Sequence, residues 1–184
     1  MKVFLKYLFT ILAIVFATYL IYLNVKLYYK PEDDVVKQLN FIKTEINDKS
    51  LGEKMQKIYP EGYFFSNVLY GLALSETKEL FNGDDHYAIY AQEEIDNVLA
   101  NLYSEKGTQI FPSDLIPKYG ISYAGWTNYL LAKKLHAIPN YNRDSSDIQL
   151  FEQNCDEIYQ AFHQKDMPYL ESYKGLSWPA DNIV

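Results

Sequence analysis

Asp181 follows Trp178-Pro179, where Pro179 suits the first turn of a helix. A carboxylate beside an aromatic in a semi-buried cleft can act as a general acid or base. The same carboxylate in a first helical turn can also do no more than offset the helix dipole. Glu61, Asp114 and Glu171 stand in loops just ahead of predicted helices. Glycan hydrolysis needs two carboxylates, so each is either a partner for Asp181 or a solvated surface acid. Tyr63, Tyr123, Trp126, Tyr173 and Trp178 are the candidate substrate-binding residues. Aromatic walls with polar tips suit sugars or a hydrophobic alcohol, and packing between helices is their competing use.

Other chemistries find little support. His86, His136 and His163 lack metal-ligand spacing, and no transition-metal site is expected. The chain has no phosphate-binding loop, nucleotide-binding glycine fingerprint or nucleophile elbow, so no cofactor is expected. The single cysteine, Cys155, excludes an internal disulfide and reads as a small buried hydrophobe on a helix stripe.

The elements that must hold these residues are helical. Gly62, Gly120 and Gly175 each precede an aromatic by three residues (Phe65, Tyr123 and Trp178), at spacings of 58 and then 55. A period of that size marks stacked helical hairpins. The stretch 64–81 begins apolar on every side, and 126–138 is apolar over most of its surface, as expected of helices buried all round. The stretches 87–103 and 148–162 are one-sided. Tyr87, Ala91, Ile95, Val98 and Leu102 oppose Glu93, Glu94, Asp96, Asn97 and Asn101 in the first. Ile148, Phe151, Cys155, Ile158 and Phe162 form the inward stripe of the second. Inner and outer helices therefore alternate. Asn82-Gly83 is the expected stop between the first pair, and no period-two strand is evident. The longer loops, 104–119 and 164–174, gather beside the starts of the inner helices.

Residues 1–30 read as a membrane anchor, 31–60 as a helical connector and 61–184 as the hairpin body. The uncharged run 7–25 would span roughly 28 Å as a helix, about a bilayer core. A cleaved signal peptide and a buried core helix are the other readings; the apolar stretch beyond 17 and the absence of a polar face favour the anchor. Lys2 and Lys6 ahead of the run place the body outside the cytoplasm, periplasmic or at the cell surface, by a small positive bias. Four of the 17 positive residues precede Pro31, leaving 13 to face 24 acidic ones. Such an acidic body repels phosphate backbones, so no nucleic acid is expected as a partner.

The pattern Tyr59-Pro60-Glu61-Gly62-Tyr63-Phe64-Phe65, with Gly175-Leu176-Ser177-Trp178-Pro179-Ala180-Asp181-Asn182, resembles bacterial (α/α)6-toroid proteins related to linalool dehydratase/isomerase. It is also similar to glycan-processing toroids such as glucuronyl epimerases and unsaturated glycuronyl hydrolases. The resemblance implies an all-α fold: an N-terminal transmembrane helix, then α/α hairpins of an incomplete ring, with a cleft at the ring centre. Six units of about 55 residues would need roughly 330 in all, so the chain reads as the N-terminal part, cut off in its third unit. The resemblance also implies a lyase, isomerase, hydrolase or epimerase acting on a glycan or other hydroxylated small molecule. The terpene-alcohol enzyme implies a site with more than one cysteine, and Cys155 alone does not carry that activity over. The alternative is a membrane-tethered α-hairpin solenoid that binds a protein and catalyses nothing.

Overall fold

The computed structural model describes residues 2–28, 31–80, 85–138, 142–164 and 168–182. The expected Asn82-Gly83 stop lies outside them, and nothing is described of the His86 side chain. Two compact units divide the chain, 1–38 and 39–184.

In the first unit, α1 (Lys2–Tyr28) has no polar face. Its apolar stretch Phe4–Tyr28 is exposed throughout, and by length and composition it can cross a membrane or serve as a signal sequence. Such a surface is costly in water and suits hydrocarbon. Then comes α2 (Pro31–Asn47), whose residues from Leu39 on belong to the second unit; it opens on proline, a residue whose missing N–H costs nothing in a first turn.

The second unit is helical. After α3 (Leu51–Gln56), α4 (Gly62–Leu80) and α5 (Asp85–Tyr103) make one hairpin. The four-residue α6 (Glu105–Thr108) follows, and α7 (Gly120–Ala137) and α8 (Ser145–Gln164) make the second hairpin. Among the described residues there are eight α-helices, a 3-10 turn Pro179–Asn182 and no strand, only a bridge between Tyr173 and Leu176. Helix α4 packs on α3, α5 and α7; α7 packs on α4, α5, α8 and the final 3-10 turn. Phe64, Val68, Leu74, Leu102, Leu130 and Leu131 form the buried centre.

Two hairpins in register are what these residues display. The burial pattern of 62–77 recurs along 122–137, offset by 60, and departs only where Phe64 and Phe65 meet Ala124 and Gly125. Tyr63 thus corresponds to Tyr123 and Leu69 to Tyr129. The glycine spacing of 58 is two residues out of this register. Gly62 and Gly120 therefore occupy different places in the two helices.

Several expectations need correction. Helix α7 starts at Gly120, six residues ahead of Trp126. Its first turn is seated by backbone: Ile121 N–H donates to Glu171 O at 2.9 Å, and Gly120 N–H to Pro117 O at 2.8 Å. Glu94, expected on the wet side of α5, is buried. It accepts from Lys43 Nζ at 2.8 Å and from Tyr70 Oη at 3.2 Å, which satisfies the charge locally. Asn101 likewise turns inward, donating to Asn67 Oδ1 at 3.1 Å. Cys155 is exposed, because only Ala161 of α8 is fully buried and the stripe Ile148, Phe151, Ile158 and Phe162 is half-buried.

Candidate functional site

The third glycine–aromatic segment folds back onto the first. Gly175, at φ +76°, allows a tight turn in which Leu176 N–H donates to Tyr173 O and Ser172 N–H to Leu176 O. That turn aims the Tyr173 hydroxyl at Glu61, just before α4. Tyr173 Oη donates to Glu61 Oε1 at 2.7 Å. Phe111 stacks on the Tyr173 ring at 5.7 Å, and Trp178 meets it edge-on at 5.8 Å. Burial pushes the Tyr173 hydroxyl well above the usual phenol range, with further upward pressure from the bond to Glu61 and the charges of Glu61 and Asp181. Glu61 and Asp181 both act on this one phenol.

Asp181 stands in the final 3-10 turn. Its Oδ2 accepts from Ser172 Oγ at 2.5 Å, and Ser172 is fully buried. Asn182 holds the same loop: its Oδ1 accepts from Leu170 N–H at 2.7 Å, and its Nδ2 donates to Trp178 O at 2.8 Å. The turn is thus tied down by two adjacent side chains. Asp181 and Asn182 remain half-buried, so the carboxylate is reachable from solvent.

The remaining candidates are dispersed. Tyr123 is buried, donates its hydroxyl to Leu102 O at 3.0 Å, and packs against Phe64 and Phe111. It reaches Tyr173 only through Phe111. Tyr63 is buried against α3, so close that a Cβ on Gly52 would come within 2.7 Å of its ring. Burial raises its hydroxyl pKa, opposed by a hydrogen bond with Ser104. Trp126 lies further along α7, edge-on to Phe65 at 5.9 Å and to Tyr129 at 6.3 Å. The structure therefore gathers Tyr173, Trp178 and Asp181 with Glu61, and leaves Tyr63, Tyr123 and Trp126 elsewhere. Asp114 pairs with Lys174 at 3.1 Å, and Glu171 Oε1 accepts from Gly175 N–H at 2.8 Å.

Ser172 and Asn182 were not singled out by sequence reasoning. A buried serine in a loop has no periodicity or motif to mark it. Among the described residues, no three His, Cys, Asp or Glu side chains are grouped to hold a metal ion. No family model, curated protein or solved structure matches this chain.

Proposed function

We propose that this chain is a membrane-anchored protein with its body outside the cytoplasm. Its hairpins are units of an (α/α)6-toroid related to linalool dehydratase/isomerase or the glycan-processing toroids. Glu61, Tyr173, Trp178 and Asp181 bind a glycan or other hydroxylated small molecule, with the two carboxylates available to move a proton. The observation that carries this reading is the bond from Tyr173 Oη to Glu61 Oε1, with Trp178 edge-on to the same ring. Two carboxylates, a phenol and a half-exposed indole suit hydroxyl groups and a sugar face. The apolar α1 supports the anchor.

Two measurements test it. Cys155 is the chain's sole cysteine and is exposed, so a membrane-impermeant maleimide should label it on intact cells. Labelling only after lysis would put the body in the cytoplasm. For the ligand, the full chain in nanodiscs should bind members of a glycan array, and E61Q and D181N should each weaken that binding about tenfold. An array with no binder would remove the glycan reading.

One observation favours a protein-binding scaffold instead. Phe65, Leu69 and Leu72 of α4 lie half-buried to exposed, as do Trp126 and Tyr129 of α7; Leu69 is 59% exposed. Lys133 and Glu76 pair at 2.5 Å between these same two helices. An apolar strip on neighbouring helices is a surface on which a partner helix can dock. Crosslinking from a photoreactive residue at Leu69 distinguishes the two: a protein adduct supports the scaffold.

A further inference from the structure

A cleft of about 350 Å³ opens between the loop 111–119 and helices α7 and α8. Tyr103, Tyr119 and Tyr123 supply its aromatic lining, and Gln153, Asn154 and Glu157 supply polar groups from α8. None of Glu61, Tyr173, Trp178 and Asp181 lines it. On the far side of Pro117 and Lys118 a shallower trough of about 760 Å³ continues along α8. The two share Pro117, Lys118, Gln153 and Glu157, so they are neighbouring parts of one depression.

The backbone holds an aromatic at this cleft against its preference. Tyr119 has φ +69°, a left-handed conformation that side chains with a Cβ seldom adopt. The Tyr119 ring lies edge-on to Tyr123 at 5.1 Å, and Lys118 Nζ sits 5.0 Å from the Tyr119 ring centre. Left-handed non-glycine residues cluster where geometry serves a site.

The polar groups are oriented. Asn154 Nδ2 donates to Asn128 Oδ1 at 3.2 Å, and Gln153 Nε2 donates to Glu157 Oε1 at 2.8 Å. A primary amide has two N–H groups and a carbonyl, so each retains donor and acceptor capacity after one bond. The trough adds Gln149, Gln160 and Gln164 and the aliphatic side chains Leu115, Ile116 and Ala161. Amides that both give and accept, tyrosine faces and aliphatic groups match a ligand with hydroxyls at its edges and C–H groups on its faces. Glu152, Asp156 and Glu157 outnumber Lys118 along this depression, which disfavours an anionic ligand. Its lining runs along α8 from Gln149 to Gln164, roughly 22 Å of helix and longer than one sugar ring.

We infer that this depression binds a neutral oligosaccharide, with one ring against Tyr119 in the cleft and the chain running along α8. The inference shares a ligand class with the reading above but none of its residues. The test uses full-length protein in nanodiscs, titrated calorimetrically with cellotetraose, maltotetraose and chitotetraose, and with spermidine as a cationic control. At least one tetrasaccharide should bind saturably. Tyr119→Gly, which relieves the left-handed backbone while removing the ring, should weaken it about tenfold, and so should Gln153→Ala on the exposed face of α8. Lys49→Met, at an exposed pair with Glu45 that lines neither the cleft nor the trough, should leave the affinity unchanged. The inference is overturned if no tetrasaccharide binds, if spermidine alone binds, or if Tyr119→Gly binds as tightly as the parent.

Discussion

A Cβ placed on Gly120 would lie 2.6 Å from the carbonyl oxygen of Ser172. The two backbones touch because the loop after α8 seats itself on the first turn of α7, where Ile121 N–H donates to Glu171 O. Gly175 also has a left-handed φ, yet nothing lies within 4 Å of its missing Cβ. Alanine at Gly175 should therefore cost only the backbone term, about 1 kcal/mol. Alanine at Gly120 should cost that and the displacement of the loop, about 3 kcal/mol or more in all. Urea midpoints for the two variants check this, and equal losses would show that the loop gives way freely.

Lys134 is buried on α7 and pairs with Asp147 Oδ2 on α8 at 2.5 Å and with Asp96 on α5. Burial by itself would lower its pKa; hydrogen bonds with Asp147 and Asp96 outweigh that and raise it. The ammonium joins the two hairpins. Lys134→Met should lose about 3 kcal/mol, since it leaves Asp147 half-buried without its cation. Adding Asp147→Asn should recover part of the loss in a double-mutant cycle.

Alkali should unfold the second unit before its buried phenols ionise freely. Burial, with the charge of Asp147, pushes Tyr103 up to about 12 from its ordinary 10.0, although 41% of the residue is exposed. Burial also raises Tyr70, Tyr123 and Tyr173. A raised phenol pKa means the folded state keeps a proton that the unfolded state has released. The stabilisation is complete below pH 10.0 and falls as pH rises toward about 12. Phenolate absorbance should rise together with loss of helical circular dichroism. A smooth titration with full helicity retained would contradict the assignment.

Asp181 has a structural duty besides any chemical one. Asp181→Ala should leave the Ser172 hydroxyl, fully buried, without its acceptor, at a cost of about 2 kcal/mol. Asp181→Asn keeps an acceptor oxygen and should cost less than half of that. Thermal midpoints separate the two variants, and this difference must be known before D181N is read as a binding defect.

Local information settled the helices. Stripes such as Ala91, Ile95, Val98 and Leu102 recur at helical spacing and need a single core to face, and α5 follows them closely. The uncharged run near the N-terminus likewise declares a helix with no wet side. Burial of long apolar faces depends on residue type at a fixed period, which a linear chain displays openly. Pairings between segments do not have this property. That Glu61 meets Tyr173, that Glu94 finds Lys43 and Tyr70, and that Cys155 falls outside the core all follow from how the helices pack. The glycines make the contrast plainest. The chain presents Gly62, Gly120 and Gly175 as three copies of one signal. Tertiary packing sets Gly62 against the α3 backbone and Gly120 against Ser172, and leaves Gly175 open, because what a missing Cβ permits depends on which backbone arrives beside it.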